Sequence, residues 1–356
     1  MFLHASVRRG KTAAKAAVIT LMCAALPVYS QSVRDGAAKG AQMCLTVLIP
    51  SLFPMMAVTD LFVTSGLCER VGRLLQKPAR LLFGVSGALA PVILMSVLGG
   101  YPVGAGGIAA LRKQNAVSEE DAQRAALWAV CAGPGFVLNF VGAAVYHSEV
   151  IGRIMFISQV ASVLLTGAAA RFIFPIKKDT VKKPPPKPMP PFDQALVEAV
   201  YGAVKGMTAV CGFVTLFAAF LGLLSQLIPN KAALDTVVLF SEVCTAVTTL
   251  APSLPVTSIA FAVGFGGLCV QLQVLAALDG VKVNKPSFFL FRMIQGGLTA
   301  LLTFIGLKNT PQTASVFSTA NAGTASVFGG SVLSGAALFA VSVCFLISVK
   351  QINQNK

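Results

Sequence analysis

The chain has 356 residues, of which 55% are hydrophobic and only 12% charged, with a mean hydropathy of +0.77. A water-soluble domain covers its surface with roughly a quarter ionised residues, so this composition excludes that class and points to lipid as the main solvent. The formal charge of +15, from 28 Lys and Arg against 13 Asp and Glu, sits in short stretches between apolar runs. That is the positive-inside pattern of membrane loops, and it argues against nucleic acid as a partner.

The first apolar run, Ala13 to Val28, follows Arg8, Arg9, Lys11 and Lys15. It reads as an uncleaved first span rather than a secretory signal, and residues 1–35 form an N-terminal membrane segment. A second span runs from about Gly40 to Ser65, interrupted by Pro50 and Pro54. The short basic segment from Cys68 to Leu82 suits an interfacial helix. Gly84 to Leu98 and Val103 to Leu111 flank a Gly-Gly-Tyr-Pro break at Gly99 to Pro102. Each half holds about 9–15 residues, or about 14–22 Å of helix, too little for a hydrocarbon core near 30 Å. A re-entrant hairpin is the expectation.

Spans at about Ala125–Tyr146 and Ile154–Pro175 follow, so residues 36–150 form a first repeat and 151–175 a connecting span. The linker 176–194 carries Lys177, Lys178, Lys182, Lys183 and Lys187 with a Pro-rich tract, and is exposed and extended. Counting spans from a cytoplasmic N-terminus places it in the cytoplasm, where its charge also places it. The second half, 195–307, repeats the plan. A long run from Ala195 to Ile228 precedes a hairpin-like region, Val237 to Leu278, broken at Pro252, Pro255 and the glycines at 264, 266 and 267. A span from Phe288 to Leu307 follows. Residues 308–356 supply a loop and a last span, Val327 to Val349. The fold expected is an all-α polytopic membrane protein, an inverted-topology repeat with two re-entrant helical hairpins, pairing Gly99–Gly104 with Gly264–Gly267.

Broken helices expose backbone N–H and C=O groups that need protein, water or solute as partners, and half-helix N-termini suit carboxylates. Gly99, Gly100, Tyr101, Pro102 and Gly104, with Gly264, Gly266 and Gly267, are therefore candidate solute-binding positions; close helix packing is the alternative. Glu242 and Arg292 lie in apolar runs, where an ionisable group is costly. They read as a coupling group and an anion-binding group, against a buried Glu–Arg pair or a snorkelling arginine. Phe136, Asn139, Gln271 and Gln273 flank the breaks. The eight cysteines form no C-x-x-C pair and there are two histidines, so no metal or cofactor site is expected. No nucleophile–base motif or phosphate loop occurs, and no enzymatic activity is expected. Oligomeric state is not legible.

Pro50-Ser51-Leu52-Phe53-Pro54, Gly99 to Ala105, Leu111 to Gln114, Glu119 to Arg124 and Gly133-Pro134-Gly135-Phe136 resemble the sporulation integral membrane protein YlbJ (SpoVV) family, which carries the nucleoside-recognition or Gate domain. Ser241-Glu242-Val243 and Gly264 to Gln271 are similar to that family's second half. The resemblance implies a multi-pass membrane protein of an endospore former. Its role would be to pass dipicolinic acid, a small aromatic dianion, across the outer forespore membrane. Helix N-termini and Arg292 would then meet its carboxylates, and Tyr101 or Phe136 its ring. A nucleoside or nucleobase permease and a non-transporting assembly protein are the alternatives.

The topology is directly testable. In a variant without native cysteines, a cysteine placed at Lys183 is expected to react with an impermeant thiol reagent only after the membrane is opened. Labelling of intact cells would reverse the orientation.

Overall fold

The structure, a computed structural model, describes residues 20, 24–173 and 190–310. Most of the first span, the lysine-rich linker, and the loop and last span after 310 lie outside the described residues. Within them every regular element is helical, as the composition requires. In lipid, a helix satisfies all its backbone groups within itself.

The first half opens with α1 (Ser30–Thr64), 35 residues with a π-helical turn at Cys44–Leu48. Two short helices follow, α2 (Leu67–Leu74) and α3 (Gln76–Phe83), where the interfacial helix was expected. Then come α4 (Leu89–Gly99), α5 (Tyr101–Lys113), α6 (Glu119–Trp128), α7 (Gly135–Val145) and the 25-residue α8 (Glu149–Ile173). The second half opens with α9 (Phe192–Leu227), 36 residues. It continues through α10 (Lys231–Ser241), α11 (Val243–Leu250), α12 (Val256–Phe265) and α13 (Gly267–Ala277) to α14 (Lys285–Asn309), again 25 residues. Five stretches are long and apolar enough to cross a membrane: α1, α8, α9, the interrupted Val256–Ala277 and α14. The chain is a multi-pass membrane protein. At 1.5 Å per residue α1 and α9 run to about 50 Å, so they tilt through a bilayer or project from it.

α4 and α5 fold back on one another. A Cβ on Gly104 would come within 2.5 Å of Ser96 Cβ, and one on Gly107 within 2.7 Å of Val92 Cγ1, so the two helices run antiparallel. The short halves read from the sequence thus form a hairpin rather than one continuous helix.

Two other expectations change. The stretch expected as a continuous span over Ala125–Tyr146 is unwound between Trp128 and Gly135. The region Val237 to Leu278 is two units: α10 and α11, packed together and parted at Glu242, and then α12 and α13, parted at Gly266. In chain order, Gly99-Gly100 and Ser241-Glu242 part the first broken pair of each half, and Gly133 and Gly266-Gly267 lie at the second. The break at Glu242 was invisible to a search for glycine because it uses none. Glu242 has φ −147°, ordinary extended backbone, and its side chain caps the next helix.

The long helices α1 and α9 make the most extensive pairing in the fold. Small residues permit it: a Cβ on Gly36 would lie 2.4 Å from the carbonyl oxygen of Ala218, and one on Gly222 would lie 2.3 Å from that of Ser32. The other faces of these helices expose Leu45, Val58, Val197, Tyr201 and Leu216, as lipid-facing surface should. Gly222→Val is expected to part the pair and cost about 1–3 kcal/mol. Thermal unfolding in detergent checks this against Gly212→Val, where an added Cβ meets nothing within 4 Å.

Candidate functional site

Four interruptions converge at the centre of the described residues. Gly100, at the tip between α4 and α5, has φ 91°, and a Cβ there would sit 3.4 Å from Gly133 N in the unwound stretch before α7. In the second half Gly267 has φ 72°, and a Cβ there would sit 3.0 Å from Ser241 O and 3.2 Å from Glu242 N. In each half the tip of a helical pair thus rests on the break in the neighbouring interrupted helix. Such backbone is tolerated at membrane depth only where protein or a cavity satisfies it.

A small cavity of about 30 Å³ lies among these tips, room for one or two waters. Its wall includes Gly100, Tyr101 and Pro102 at the start of α5, Gly133 and Phe136 at the start of α7, Glu242 and Cys244 at the start of α11, and Gln273 on α13. Three half-helix N-termini, each with partial positive charge, border one volume. A larger, partly open cavity of about 410 Å³ lies between α1, α9, α10 and α11, and Glu242 lines it too. The smaller cavity is the candidate site, because the interruptions meet there; the larger one reads as its approach.

Glu242 is fully buried, and its carboxylate accepts from Cys244 N at 3.0 Å and Thr245 N at 2.6 Å. The anion sits on the positive end of α11, where backbone amides stand in for a cation. Arg292 is the complement. It is 1% exposed, which excludes snorkelling, and no ion pair joins it to Glu242 among the described residues. Its Nη1 donates to Val130 O at 2.5 Å and to Gln295 Oε1; its Nη2 donates to Gly264 O at 2.8 Å and Phe265 O at 3.4 Å, and Nε donates to Phe265 O at 3.4 Å. All five guanidinium N–H groups are spent on protein. The carbonyls they meet end α6 and α12, the negative ends of two broken helices. The Tyr101 ring lies 5.8 Å from the guanidinium carbon. Neither the buried Glu–Arg pair nor a solute-facing arginine describes this residue. Arg292 is a clamp across the breaks of both halves.

Around the clamp, Gln295 Nε2 donates to Trp128 O at 2.7 Å and Thr166 Oγ1 at 3.0 Å, and the Tyr101 hydroxyl donates to Val263 O. Gln295 was missed in the sequence, although it lies three residues beyond Arg292 on the same helical face. The remaining candidates divide. Tyr101, Pro102, Phe136, Glu242, Gln273 and Gly100 line the cavity. Gly99 and Gly266 shape the breaks, and a Cβ on Gly266 would lie 3.5 Å from the Tyr101 ring. Gly104 and Gly264 are packing positions, against Ser96 and Thr299. Gln271 is buried behind the wall, donating to Phe265 O at 3.5 Å. Asn139 is exposed and takes no part in the cavity wall, because the π-helical turn of α7 carries it outward. Among the described residues no group of His, Cys, Asp and Glu could hold a metal.

On the loop side, Glu119 ties the two halves, accepting from Arg112 Nε at 2.7 Å and Lys282 N at 2.7 Å. Burial pushes its carboxyl up, but the bonds from Arg112, Lys282 and Gln123 outweigh it and hold it below the usual range. Its contribution to stability is therefore present above the ordinary glutamate value and lost as pH falls through the lowered one.

The geometry is that of a broken-helix membrane core, and the comparisons agree. Residues 45–170 match the family model described as nucleoside recognition, Gate. The chain is also 24% identical to the sporulation integral membrane protein YlbJ of Bacillus subtilis (strain 168), covering 78% of each chain. The resemblance to the YlbJ family read from the sequence therefore holds. No solved structure matches. The matched segment includes α4 to α7, hence Tyr101, Gly133 and Phe136, whereas Glu242 and Arg292 lie beyond it.

If the charges are independent, their substitutions add. Arg292→Gln strands three buried carbonyls and is expected to cost about 3 kcal/mol or more. Glu242→Gln weakens a cap and costs about 1 kcal/mol. Unfolding midpoints in detergent for both singles and the double should sum to within about 0.5 kcal/mol. Recovery in the double would restore the ion-pair reading.

Proposed function

We propose that this chain is a membrane transporter for a small anionic solute, dipicolinic acid during spore formation. The observation that carries this reading is the small cavity bordered by the N-termini of α5, α7 and α11, with Tyr101 and Phe136 in its wall. Positive helix ends suit carboxylates, and the two aromatic side chains suit a planar ring. The sporulation role in the name of the Bacillus relative fits that solute and the outer forespore membrane as its place of action. The mechanism is transport rather than catalysis.

Glu242 stands where a solute carboxylate would bind, on the amides of Cys244 and Thr245. Two anions there repel strongly at low dielectric. Solute entry therefore requires Glu242 to swing into the larger cavity whose wall it shares. The central cavity is too small for either solute as it stands, so a tip must move for one to bind. The matched order of long helix, two interrupted units and 25-residue helix supports an inverted repeat, in which the two tips open to opposite faces. Arg292 holds the two breaks together while a tip moves and makes no contact with solute.

A nucleoside permease is the second reading, favoured by the Gate match and by Glu242 and Gln273 as hydrogen-bond partners for hydroxyl and amide groups. Uptake of labelled dipicolinate and of labelled nucleosides into vesicles holding the purified protein separates the readings. Saturable dipicolinate uptake is expected. Glu242→Gln removes the repulsion between the two anions and should tighten the apparent affinity for dipicolinate about tenfold, equivalent to about 1.4 kcal/mol. Nucleoside uptake alone would select the permease, and no uptake of either would leave an assembly protein.

A further inference from the structure

The helices α2 and α3 stand apart from the site, and their two faces differ in kind. The inward face is built of small residues. Cys68, Gly72 and Ala79 are buried, and a Cβ on Gly72 would come 2.9 Å from the Cα of Ala88. Gly87 N donates to Gln76 Oε1 at 3.0 Å, fixing the fit. That packing decides which residues are left outside. They are Leu67, Leu74, Leu81 and Leu82, at 39%, 83%, 64% and 53% exposure, interleaved with exposed Arg70, Arg73 and Lys77.

Positions 67, 70 and 74 in α2, and 77 and 81 in α3, follow the three- and four-residue spacing of a helical face. Neither water nor hydrocarbon serves such a face. Water would leave four leucines exposed, and the bilayer core would strand three cations. The headgroup boundary serves both, with leucines dipping into the acyl region and the longer side chains reaching phosphates. From Leu67 to Phe83 the sequence has four basic residues against one acidic, so the face favours negative headgroups. Arg80 alone turns inward, its Nη1 3.4 Å from Asp121 Oδ2 at the start of α6.

We infer that the outer face of α2 and α3 docks on anionic phospholipid headgroups of the adjoining leaflet. The docking also braces the site. Phe83, at the end of α3, packs 4.9 Å from Trp128, whose carbonyl Gln295 holds beside the Arg292 clamp. This inference rests on the chain's membrane setting and not on which solute it carries.

Trp128 is the single tryptophan of the chain, so its emission follows unfolding near this face. Thermal unfolding is to be compared in neutral-detergent micelles carrying phosphatidylglycerol or, at equal mole fraction, phosphatidylcholine. Phosphatidylglycerol should raise the midpoint, and added salt should erase the rise. The triple variant Arg70→Gln, Arg73→Gln, Lys77→Gln should lose most of the rise. Arg70→Lys with Arg73→Lys should keep it, which guards against a folding defect in the triple variant. Equal midpoints in both lipids, or a triple variant that retains the rise, would overturn the inference and turn this face towards a protein partner. Soluble glycerol phosphate giving the same rise would also overturn it, in favour of a free-phosphate site.

Discussion

A guanidinium buried at 1% exposure, without a carboxylate partner among the described residues, should destabilise any protein core by several kcal/mol. Arg292 is tolerated because two helices were broken to receive it. Unwinding after Trp128 and at Gly266 frees carbonyls at Val130, Gly264 and Phe265, and the five N–H groups of one side chain collect them. Each defect cancels the other: the unsatisfied carbonyls need donors, and the cation needs acceptors and negative dipole ends. Without the arginine the breaks would lack donors, and without the breaks the arginine could not be buried.

The same logic with reversed sign holds at Glu242. There the anion sits on a helix N-terminus and replaces the glycine that the other tips use. The two charges are thus neutralised separately, one in each direction of helix polarity, although they lie in one core. This leaves Glu242 as the charged residue in the cavity wall. The clamp joins the breaks of both halves through five N–H groups, whereas the cap at Glu242 is held by two backbone amides.

Packing of the outer helices follows a simpler rule. α1 and α9 approach through glycines and alanines, and their larger side chains are turned to lipid. With no hydrophobic gain from pairing apolar helices in an apolar solvent, close van der Waals fit is what remains to hold them. The long pair, together with α8 and α14, frames the short broken elements.

The sequence by itself determined the solvent, the helical class, the long spans near their observed bounds, and the glycine breaks at 99–100 and 266–267. These are local properties, set by hydropathy over about 20 residues and by the backbone freedom of glycine. Gly133-Pro134-Gly135 was visible as a motif, yet its span still read as continuous, since the apolar run does not falter there. Only the tertiary structure decided the partners of the two buried charges. Arg292 meets Val130 across 162 positions of chain, a distance at which no spacing rule operates. It likewise separated Phe136, in the cavity wall, from Asn139, three residues on and exposed, because a π-helical turn rotates side chains away from the 3.6-residue pattern.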